Sequence, residues 1–309
     1  MKILILGAGA VGLSLAAKLS RVCDVHAVCR KASADAIRDQ GFAMTGIWGE
    51  ATYRFSAAET VPAGARYDAI FITAKSKDTD VICRQFAGLI KGTDTISLQN
   101  GIGNEEILKL YTDRVIGGMI ITGFEWRGDA AVHVSVEAGP VKLGRFPGGM
   151  DPRVEELVAL LSSAGIHVEG SAEIRADLWG KTLYNCALNP LGAIMGVPYG
   201  ELADPASWRI IEQIVQEAFA VVKAEGLQLQ WPTAAEYLAF LKDVQLPATA
   251  LHHSSMLQDL SRGRKTEIGF INGAVVEKGR VHQIPTPYNS CIVDLIRFRE
   301  SLAGRGEPS

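Results

Sequence analysis

The start of the chain limits the fold most strongly, because an apolar block there runs into a glycine-rich turn. Residues 3–6 are all Ile or Leu, which is typical of a short strand buried on both faces. Residues 7–12 then fit the pattern G-x-G-x-x-G, and residues 10–19 favour a helix. A strand, a glycine turn and a helix in this order indicate a dinucleotide-binding fold rather than a signal peptide.

The glycines of this motif have separate tasks. Gly7 allows a tight turn out of the strand, Gly9 lets the backbone approach a pyrophosphate, and Gly12 lets the helix pack against the strand. The phosphates are expected at the positive end of the helix, against the unpaired N–H groups of its first turn. Ala10 and Val11 lie in that turn, so we predict that both residues bind the cofactor together with the three glycines.

The end of the second strand predicts which dinucleotide is bound. Residues 25–29 read as that strand, and Arg30 and Lys31 follow it. An NAD site places an Asp or Glu there to bind the ribose 2′-OH, whereas a guanidinium can grip a 2′-phosphate with two hydrogen bonds. We therefore predict NADP(H) rather than NAD(H), with Arg30 as the contact. The alternative is that Arg30 is only a solvated strand end.

Two more buried strands are expected at residues 68–73 and 95–98, and polar residues follow each. Lys75 comes after the first strand, and Asn100 with Gly101 comes after the second. Ligands of doubly wound sheets bind beyond the carboxyl ends of the strands, which is where both polar residues would lie. The alternative for Asn100 and Gly101 is a simple turn.

The chain changes character near residue 170. Several strands between residues 115 and 146 and a helix from Asp151 to about residue 164 precede the change. After it, helical patterns cover residues 172–191, 205–225, 234–242, 248–262, 266–278 and 287–302. We therefore predict an α/β Rossmann-type domain that binds NADP(H) over residues 1–170, and an all-α domain over residues 171–309. A frayed tail is expected over residues 303–309.

Composition excludes several classes of protein and partner. The 309 residues suggest two domains, and 48% hydrophobic with 21% charged residues is ordinary for a globular protein. The formal net charge of -3 gives no basic surplus for nucleic acid, and no apolar run suggests a membrane span. The five cysteines are widely spread and odd in number, which favours a reducing cytoplasm and argues against a metal site.

One polar stripe stands out in the helical half. Lys181, Asn185 and Asn189 are spaced i, i+4 and i+8, so they share one helix face. Asparagine is a poor choice for an ordinary solvated helix, and the stripe therefore favours a binding role. Further along, Ser255 and the Thr266-Glu267 pair give weaker hints, since Thr266 and Glu267 could equally be helix-start chemistry.

Together these motifs resemble the ketopantoate reductases (2-dehydropantoate 2-reductases) of pantothenate and coenzyme A biosynthesis. The resemblance covers nearly the whole chain. It rests on the glycine motif, Lys75, residues 100–103, residues 178–191, residues 254–259, residues 266–268 and residues 271–273. The family is α/β with a helical C-terminal domain, and it reduces the 2-oxo group of ketopantoate to (R)-pantoate with NADPH.

The resemblance also implies roles for single residues. Lys181 matches the general acid that protonates the substrate oxygen, and Glu267 matches the carboxylate that holds a substrate hydroxyl and helps set Lys181. Ser255 matches the residue that binds the substrate carboxylate, whereas Asn185 and Asn189 match the amides for its hydroxyl and oxo groups. Asn100 matches the residue that lies near the nicotinamide and the substrate. Lys75 and Arg30 match residues that contact the cofactor.

One departure from the family leaves the substrate open. His252 stands where some members carry an asparagine for the substrate. Two alternatives therefore remain, which are a related NADPH-dependent reductase of another branched 2-oxo acid and a non-catalytic NADP(H)-binding sensor. The residues leave a monomer and a homodimer equally open.

Overall fold

The computed structural model describes residues 1–303, and the chain divides into two units. Unit 1 contains Met1–Gln99 and Asn104–Asp177, and unit 2 contains Asn100–Gly103 and the chain from Leu178 onward. Of the tail expected over residues 303–309, Ala303 is the last residue of a helix and residues 304–309 lie outside the described residues.

The first unit extends past residue 170, where the sequence places the boundary. Asp177 lies in the first turn of a helix that begins at Ile174. Its carboxylate accepts hydrogen bonds from Lys142 Nζ (2.6 Å) and Ser171 Oγ (2.5 Å). These bonds attach the first helical turn to unit 1, and Leu178 then begins the long stretch of unit 2.

The strands of the described chain all belong to unit 1. They are β1 Lys2–Leu6, β2 Asp24–Val28, β3 Phe42–Gly46, β4 Ala51–Tyr53, β5 Ser56–Ala58, β6 Ala69–Ile72, β7 Asp94–Ser97, β8 Val115–Met119, β9 Thr122–Gly128, β10 Ala131–Glu137, β11 Val141–Arg145 and β12 Val168–Gly170.

The main sheet has the strand order β12-β11-β8-β7-β6-β1-β2-β5. Its neighbours are parallel except for the β11–β8 pair. The residues of the predicted first strand, Ile3 to Leu6, are fully buried at the centre of this sheet, as a strand covered on both faces requires. A second sheet has the order β4-β3-β10-β9. Because β1, β2, β6 and β7 run parallel, their carboxyl ends meet at one edge, and the predicted Rossmann-type α/β fold is confirmed.

The helices of unit 1 connect these strands. They are α1 Ala10–Leu19, α2 Lys31–Gln40, α3 Thr79–Gln85, α4 Ala87–Ile90, α5 Asn104–Leu108 and α6 Pro152–Ser163. Helix α6 begins as predicted, since the Asp151 carboxylate accepts a hydrogen bond from Val154 N at 2.9 Å and Pro152 occupies the first turn.

In the described part of unit 2, every regular element is helical, which confirms the predicted all-α character. The helices are α7 Ile174–Met195, α8 Pro205–Ala224, α9 Ala234–Phe240, α10 Leu246–Ala248, α11 Ser255–Ser261, α12 Asn272–Val281 and α13 Pro287–Ala303, with shorter helical turns at Tyr199–Ala203, Leu241–Gln245 and Ile268–Phe270. Over residues 1–303, all helices fall short of the length and apolarity that crossing a bilayer requires.

The helix predicted over residues 172–191 runs further than its pattern, because α7 begins at Ile174 and continues through Pro190 to Met195. A proline inside a helix has no N–H to donate to the carbonyl four residues earlier, which here is that of Cys186. Asn272 supplies the missing donor, with its Nδ2 3.2 Å from the Cys186 oxygen. A side chain from another helix thus replaces the lost backbone bond.

The helix predicted over residues 248–262 is wrong over its first half, since α11 begins only at Ser255. The backbone before it is used in long-range bonds instead. His252 O accepts from Tyr199 N at 3.0 Å, and Ala250 O accepts from Gly200 N at 2.8 Å. Ser254 then caps α11 by accepting from Leu257 N at 2.9 Å.

Candidate active site

The glycine-rich turn joins β1 to α1. Gly7 has a φ of +69°, and a Cβ there would overlap the side chain of Ala74. A Cβ at Gly12 would overlap the hydroxyl of Thr73, so the helix approaches the neighbouring strand only because Gly12 has no side chain. At Gly9, by contrast, no atom of the described residues lies within 4 Å of a Cβ position. The turn is therefore closed against the sheet and open at the start of the helix.

The open end of α1 fits a pyrophosphate. Gly9 immediately precedes the helix and has no side chain to cap it, and the first turn carries no acidic residue. The first N–H groups of a helix lack partners within the helix and carry a partial positive charge, so they suit an anion. Ala8 N donates to Val28 O at 2.9 Å, which ties this turn to the end of β2.

Arg30 lies at the same edge of the sheet, two residues after β2 and directly before α2. Its neighbour Lys31 is engaged by Asp35, with Nζ and Oδ2 2.6 Å apart. Arg30 is exposed. Its guanidinium, unlike the Lys31 amine, is not paired with that carboxylate.

Lys75 follows β6 and precedes the short helical turn Ser76–Asp78. Buried polar side chains connect Gln99, which follows β7, with the first residues of α3 and α5. Gln99 Nε2 donates to Thr79 Oγ1 at 2.8 Å, and Thr79 Oγ1 is 2.9 Å from Asn104 Oδ1. Gln99 and Asn104 directly precede and follow residues 100–103 in the chain.

Residues 100–103 are docked on the short turn at Phe270. Gly101 has a φ of +83°, and a Cβ there would overlap the Phe270 carbonyl. Ile102 N donates to that carbonyl at 2.8 Å. Asn100 and Gly101 are therefore more than a local turn, because the glycine permits close contact with a distant segment and places Asn100 beside it.

Asn100 connects the two predicted catalytic residues. Lys181 Nζ, on α7, donates to Asn100 Oδ1 at 2.6 Å, and Asn100 Nδ2 donates to Glu267 Oε2 at 3.2 Å. Burial lowers the pKa of Lys181 to about 8, and the charge of Glu267 opposes that lowering. The amine therefore remains mostly protonated at neutral pH, yet gives up its proton far more readily than an ordinary lysine.

The two residues before Glu267 are bonded to the last helix. The Glu300 carboxylate, on α13, accepts from Thr266 N at 2.8 Å and from Thr266 Oγ1 at 2.7 Å. Lys265 Nζ lies 3.2 Å from the other Glu300 oxygen. These bonds occupy the backbone at Thr266, and the helix predicted from residue 266 begins only at Asn272.

The two asparagines of the polar stripe form a bonded pair. Asn189 Nδ2 donates to Asn185 Oδ1 at 3.4 Å, and both residues are buried. The hydroxyl of Tyr199 donates to Asn189 Oδ1. The stripe is thus connected internally rather than solvated.

The ring of Tyr199 packs against two other rings. The centroid of the Tyr199 ring lies 5.9 Å from the centroid of the Tyr184 ring and 5.4 Å from that of the His252 ring. The Tyr184 hydroxyl donates to Thr249 Oγ1 at 2.9 Å.

Ser255, the predicted ligand of the substrate carboxylate, is the exposed first residue of α11, whereas its neighbour Ser254 is the buried cap of that helix.

Comparison with known proteins identifies the family. The family model described as "Ketopantoate reductase PanE/ApbA" matches residues 3–148, and the model for its C-terminal part matches residues 173–300. The chain belongs to the ketopantoate reductase family. The 2-dehydropantoate 2-reductase of Pyrococcus horikoshii is 32% identical to it, over 98% of this chain and 99% of that protein.

Solved structures agree with this family. A PanE/ApbA family ketopantoate reductase from Ralstonia eutropha has a TM-score of 0.89 and is 28% identical, over 99% of this chain and 100% of the other. A D-mandelate dehydrogenase, solved with NADH and anilino(oxo)acetate, has a TM-score of 0.90 and is 26% identical, over 98% and 100% of the two chains.

Among residues 1–303 of this ketopantoate reductase family member, no cluster of three or more His, Cys, Asp or Glu could hold a metal ion. The residues predicted from sequence fall into three groups. The glycine turn, Arg30 and Lys75 follow strands of unit 1, whereas Asn100, Lys181 and Glu267 form one bonded chain in unit 2. Asn185 and Asn189 form the third group, and Ser255 stands apart from all three at the exposed start of α11.

Sequence reasoning missed two residues that hold these groups. Tyr199 follows a glycine-proline break, and no spacing rule connects it to Asn189. Glu300 sits on an amphipathic helix, where a carboxylate usually faces water. Only long-range contacts show their roles, so no sequence signal was available.

Proposed function

We propose that this chain is an NADPH-dependent 2-dehydropantoate 2-reductase that reduces the 2-oxo group of 2-dehydropantoate to (R)-pantoate. The proposal is supported by the family, by a relative of that name matched over nearly its full length, and by one observation above all. That observation is the buried amine of Lys181, oriented by Asn100 and coupled to the charge of Glu267.

The bound dinucleotide supplies the hydride in this reaction. Addition to the ketone leaves negative charge on the oxygen, and the Lys181 ammonium neutralises that charge and donates the proton. Its pKa of about 8 suits a general acid at neutral pH, and such an acid contributes roughly 10²–10⁴-fold to the rate. Asn100 orients the amine by accepting one of its protons, and Glu267 keeps the amine charged.

The substrate is recognised by unit 2. We assign Asn185 and Asn189, as a pair, to the hydroxyl and oxo groups of the substrate, and Ser255 to its carboxylate. The exposed position of Ser255 at the start of α11 leaves its hydroxyl accessible to a ligand. Glu267 has a second task, which is to accept a hydrogen bond from a substrate hydroxyl.

The cofactor is assigned to unit 1. A nicotinamide dinucleotide fits the glycine turn, with its pyrophosphate against the N–H groups of Ala10 and Val11. We assign NADPH rather than NADH because Arg30 is an exposed guanidinium at the end of β2, where a 2′-phosphate would lie. Lys75 and Asn100 complete the predicted contacts of the cofactor, with Asn100 near its nicotinamide.

We place this activity in the cytoplasm, with a small 2-oxo acid as partner and without nucleic acid or membrane. The number and spread of the cysteines favour a reducing compartment. Light scattering on the purified protein distinguishes a monomer from a homodimer.

The decisive experiment follows the ultraviolet absorbance of NADPH after addition of 2-dehydropantoate, with a panel of other 2-oxo acids in parallel. We expect steady oxidation of NADPH, fastest with 2-dehydropantoate, and a higher Michaelis constant for NADH than for NADPH. Faster turnover of another acid would contradict the substrate assignment. Binding of NADPH without turnover of any acid would instead identify a sensor.

The role of Lys181 is tested by Lys181→Ala. We expect kcat to fall at least about 10²-fold, because the general acid is lost, whereas NADPH still binds. The control is Lys223→Ala, since Lys223 is an exposed lysine on α8. Near-normal turnover by the Lys181 variant would eliminate the proposed role.

A further inference from the structure

We infer that Tyr199 is a positioning residue, which acts through Asn189 to turn the amide of Asn185 so that its N–H groups face the substrate. The inference rests on the proposed function, since it concerns how the asparagine pair that receives the substrate is oriented. Tyr199 and Asn189 together set the direction in which the Asn185 amide faces.

The contacts form a directed chain of hydrogen bonds. The Tyr199 hydroxyl donates to Asn189 Oδ1, and Asn189 Nδ2 donates to Asn185 Oδ1 at 3.4 Å. Tyr199 is 1% exposed and Asn189 is 5% exposed, so water does not replace these partners. Asn185 has its oxygen occupied, and its amide nitrogen is the part that remains for a ligand.

Tyr199 decides the direction of this chain. The phenol stays neutral, since burial raises its pKa well above the ordinary value, and its one proton is donated to Asn189 Oδ1. If the Asn189 amide were inverted, its NH₂ group would face the Tyr199 hydroxyl. The hydroxyl proton, a buried donor, would then lose its acceptor. The Asn189 oxygen therefore faces Tyr199, its nitrogen faces Asn185, and the Asn185 amide is turned in consequence.

The result is a site that offers donors to an acceptor oxygen. Asn185 lies one helical turn from Lys181 on α7, so both side chains project from the same face. A substrate oxygen next to the one that Lys181 protonates, such as a hydroxyl or carboxylate oxygen, can accept from Asn185. The ring of Tyr199 is held by edge-on packing against Tyr184, which keeps its hydroxyl aimed at Asn189.

Tyr199→Phe tests the inference, because it removes the donor and keeps the ring. We expect KM for the 2-oxo acid to rise about tenfold, with kcat changed less than about threefold and the KM for NADPH unchanged. Tyr184→Phe is the matched control, since it deletes a hydroxyl of the same aromatic cluster that bonds Thr249 instead of Asn189. Its KM is expected to stay within about twofold of the wild type.

A double-mutant cycle separates positioning from general loosening of the structure. In an Asn185→Ala background, Tyr199→Phe should have no further effect on KM, because the amide that it orients is gone. The inference would be overturned if Tyr199→Phe still raised KM tenfold in that background, or if Tyr184→Phe raised KM by the same factor. If Tyr199→Phe does not fold, Asn189→Asp replaces it, since an aspartate accepts from Tyr199 but cannot donate to Asn185. The same rise in KM is then expected, and it should disappear in the Asn185→Ala background; an unchanged KM, or a rise that persists in that background, would refute the inference.

The two proposals fail in different ways. Turnover of 2-dehydropantoate by the wild type with no response to Tyr199→Phe refutes the inference alone. If another 2-oxo acid is the better substrate, the substrate assignment fails, and the cycle is measured with that acid. If no acid is turned over, the same variants are compared by calorimetric titration of 2-dehydropantoate, and absence of binding overturns the inference as well.

Discussion

Replacing Glu267 by glutamine is expected to move the alkaline limb of the pH–rate profile to lower pH. Reduction uses the proton of the Lys181 ammonium, so the rate falls as pH rises through the pKa of that group, about 8 in the native protein. Burial lowers this pKa and the Glu267 charge raises it. Without the charge, the amine loses its proton at a lower pH.

The size of the effect follows from the geometry. Lys181 Nζ and Glu267 Oε2 are separated by one amide group, with hydrogen bonds of 2.6 Å and 3.2 Å on its two sides. Because Asn100 bonds to both groups, their charges lie at most about 8 Å apart, and opposite unit charges at that distance attract by about 2 kcal/mol at an effective dielectric constant of about 20. At about 1.4 kcal/mol per pKa unit, and with some screening by solvent, the limb should move down by about one pH unit.

The assay is kcat for reduction, measured at saturating substrate over a pH range that brackets the limb in both proteins. Glutamine has nearly the same shape as glutamate and can still accept from Asn100, so the orientation of Lys181 is retained. Glu277→Gln is the control, because Glu277 is an exposed carboxylate paired with Arg280 on α12. An alkaline limb that stays in place in the Glu267 variant, or moves to higher pH, would refute the electrostatic coupling.

Two further substitutions test the cofactor and the fold. Arg30→Ala is expected to weaken NADPH binding by about 1.5–3 kcal/mol, the scale of a charged hydrogen bond, with little change for NADH; equal losses for the two dinucleotides in binding titrations would contradict the assignment. Asn272→Ala is expected to lower the free energy of unfolding by about 1–3 kcal/mol, because the Cys186 carbonyl loses its donor. In a Pro190→Ala background, this loss measured by denaturant unfolding should shrink, because the alanine restores a backbone N–H; an unchanged loss would contradict the explanation.

The parts of the fold that could be predicted depend on local signals. The bounds of α1 follow from the glycine turn before it and the apolar residues within it. Asp151 and Pro152 likewise mark the start of α6, because a carboxylate cap and a proline in the first turn act within a few residues. The apolar run of β6 likewise predicted a buried strand with Lys75 just beyond its carboxyl end, without any knowledge of tertiary contacts.

The departures from prediction occurred where a distant group overrode a local signal. Pro190 is a helix breaker by propensity, yet α7 continues because Asn272 replaces the missing donor. The segment before Ser255 has helical composition, yet its carbonyls bond to the backbone of Tyr199 and Gly200. Propensity describes a residue and its sequence neighbours, so it cannot include partners that only folding brings into contact.

By itself the sequence determined the order of the elements, the glycine turn and the residue types available for chemistry, because these depend on periodicity and on backbone conformations that only glycine or proline permits. It also carried the motifs by which the family is recognised. Only the tertiary structure decided that Asn100 lies between Lys181 and Glu267, and that Tyr199 bonds to Asn189. The strength of these interactions depends on burial and on distances between segments far apart in the chain, and both arise only when the chain has packed.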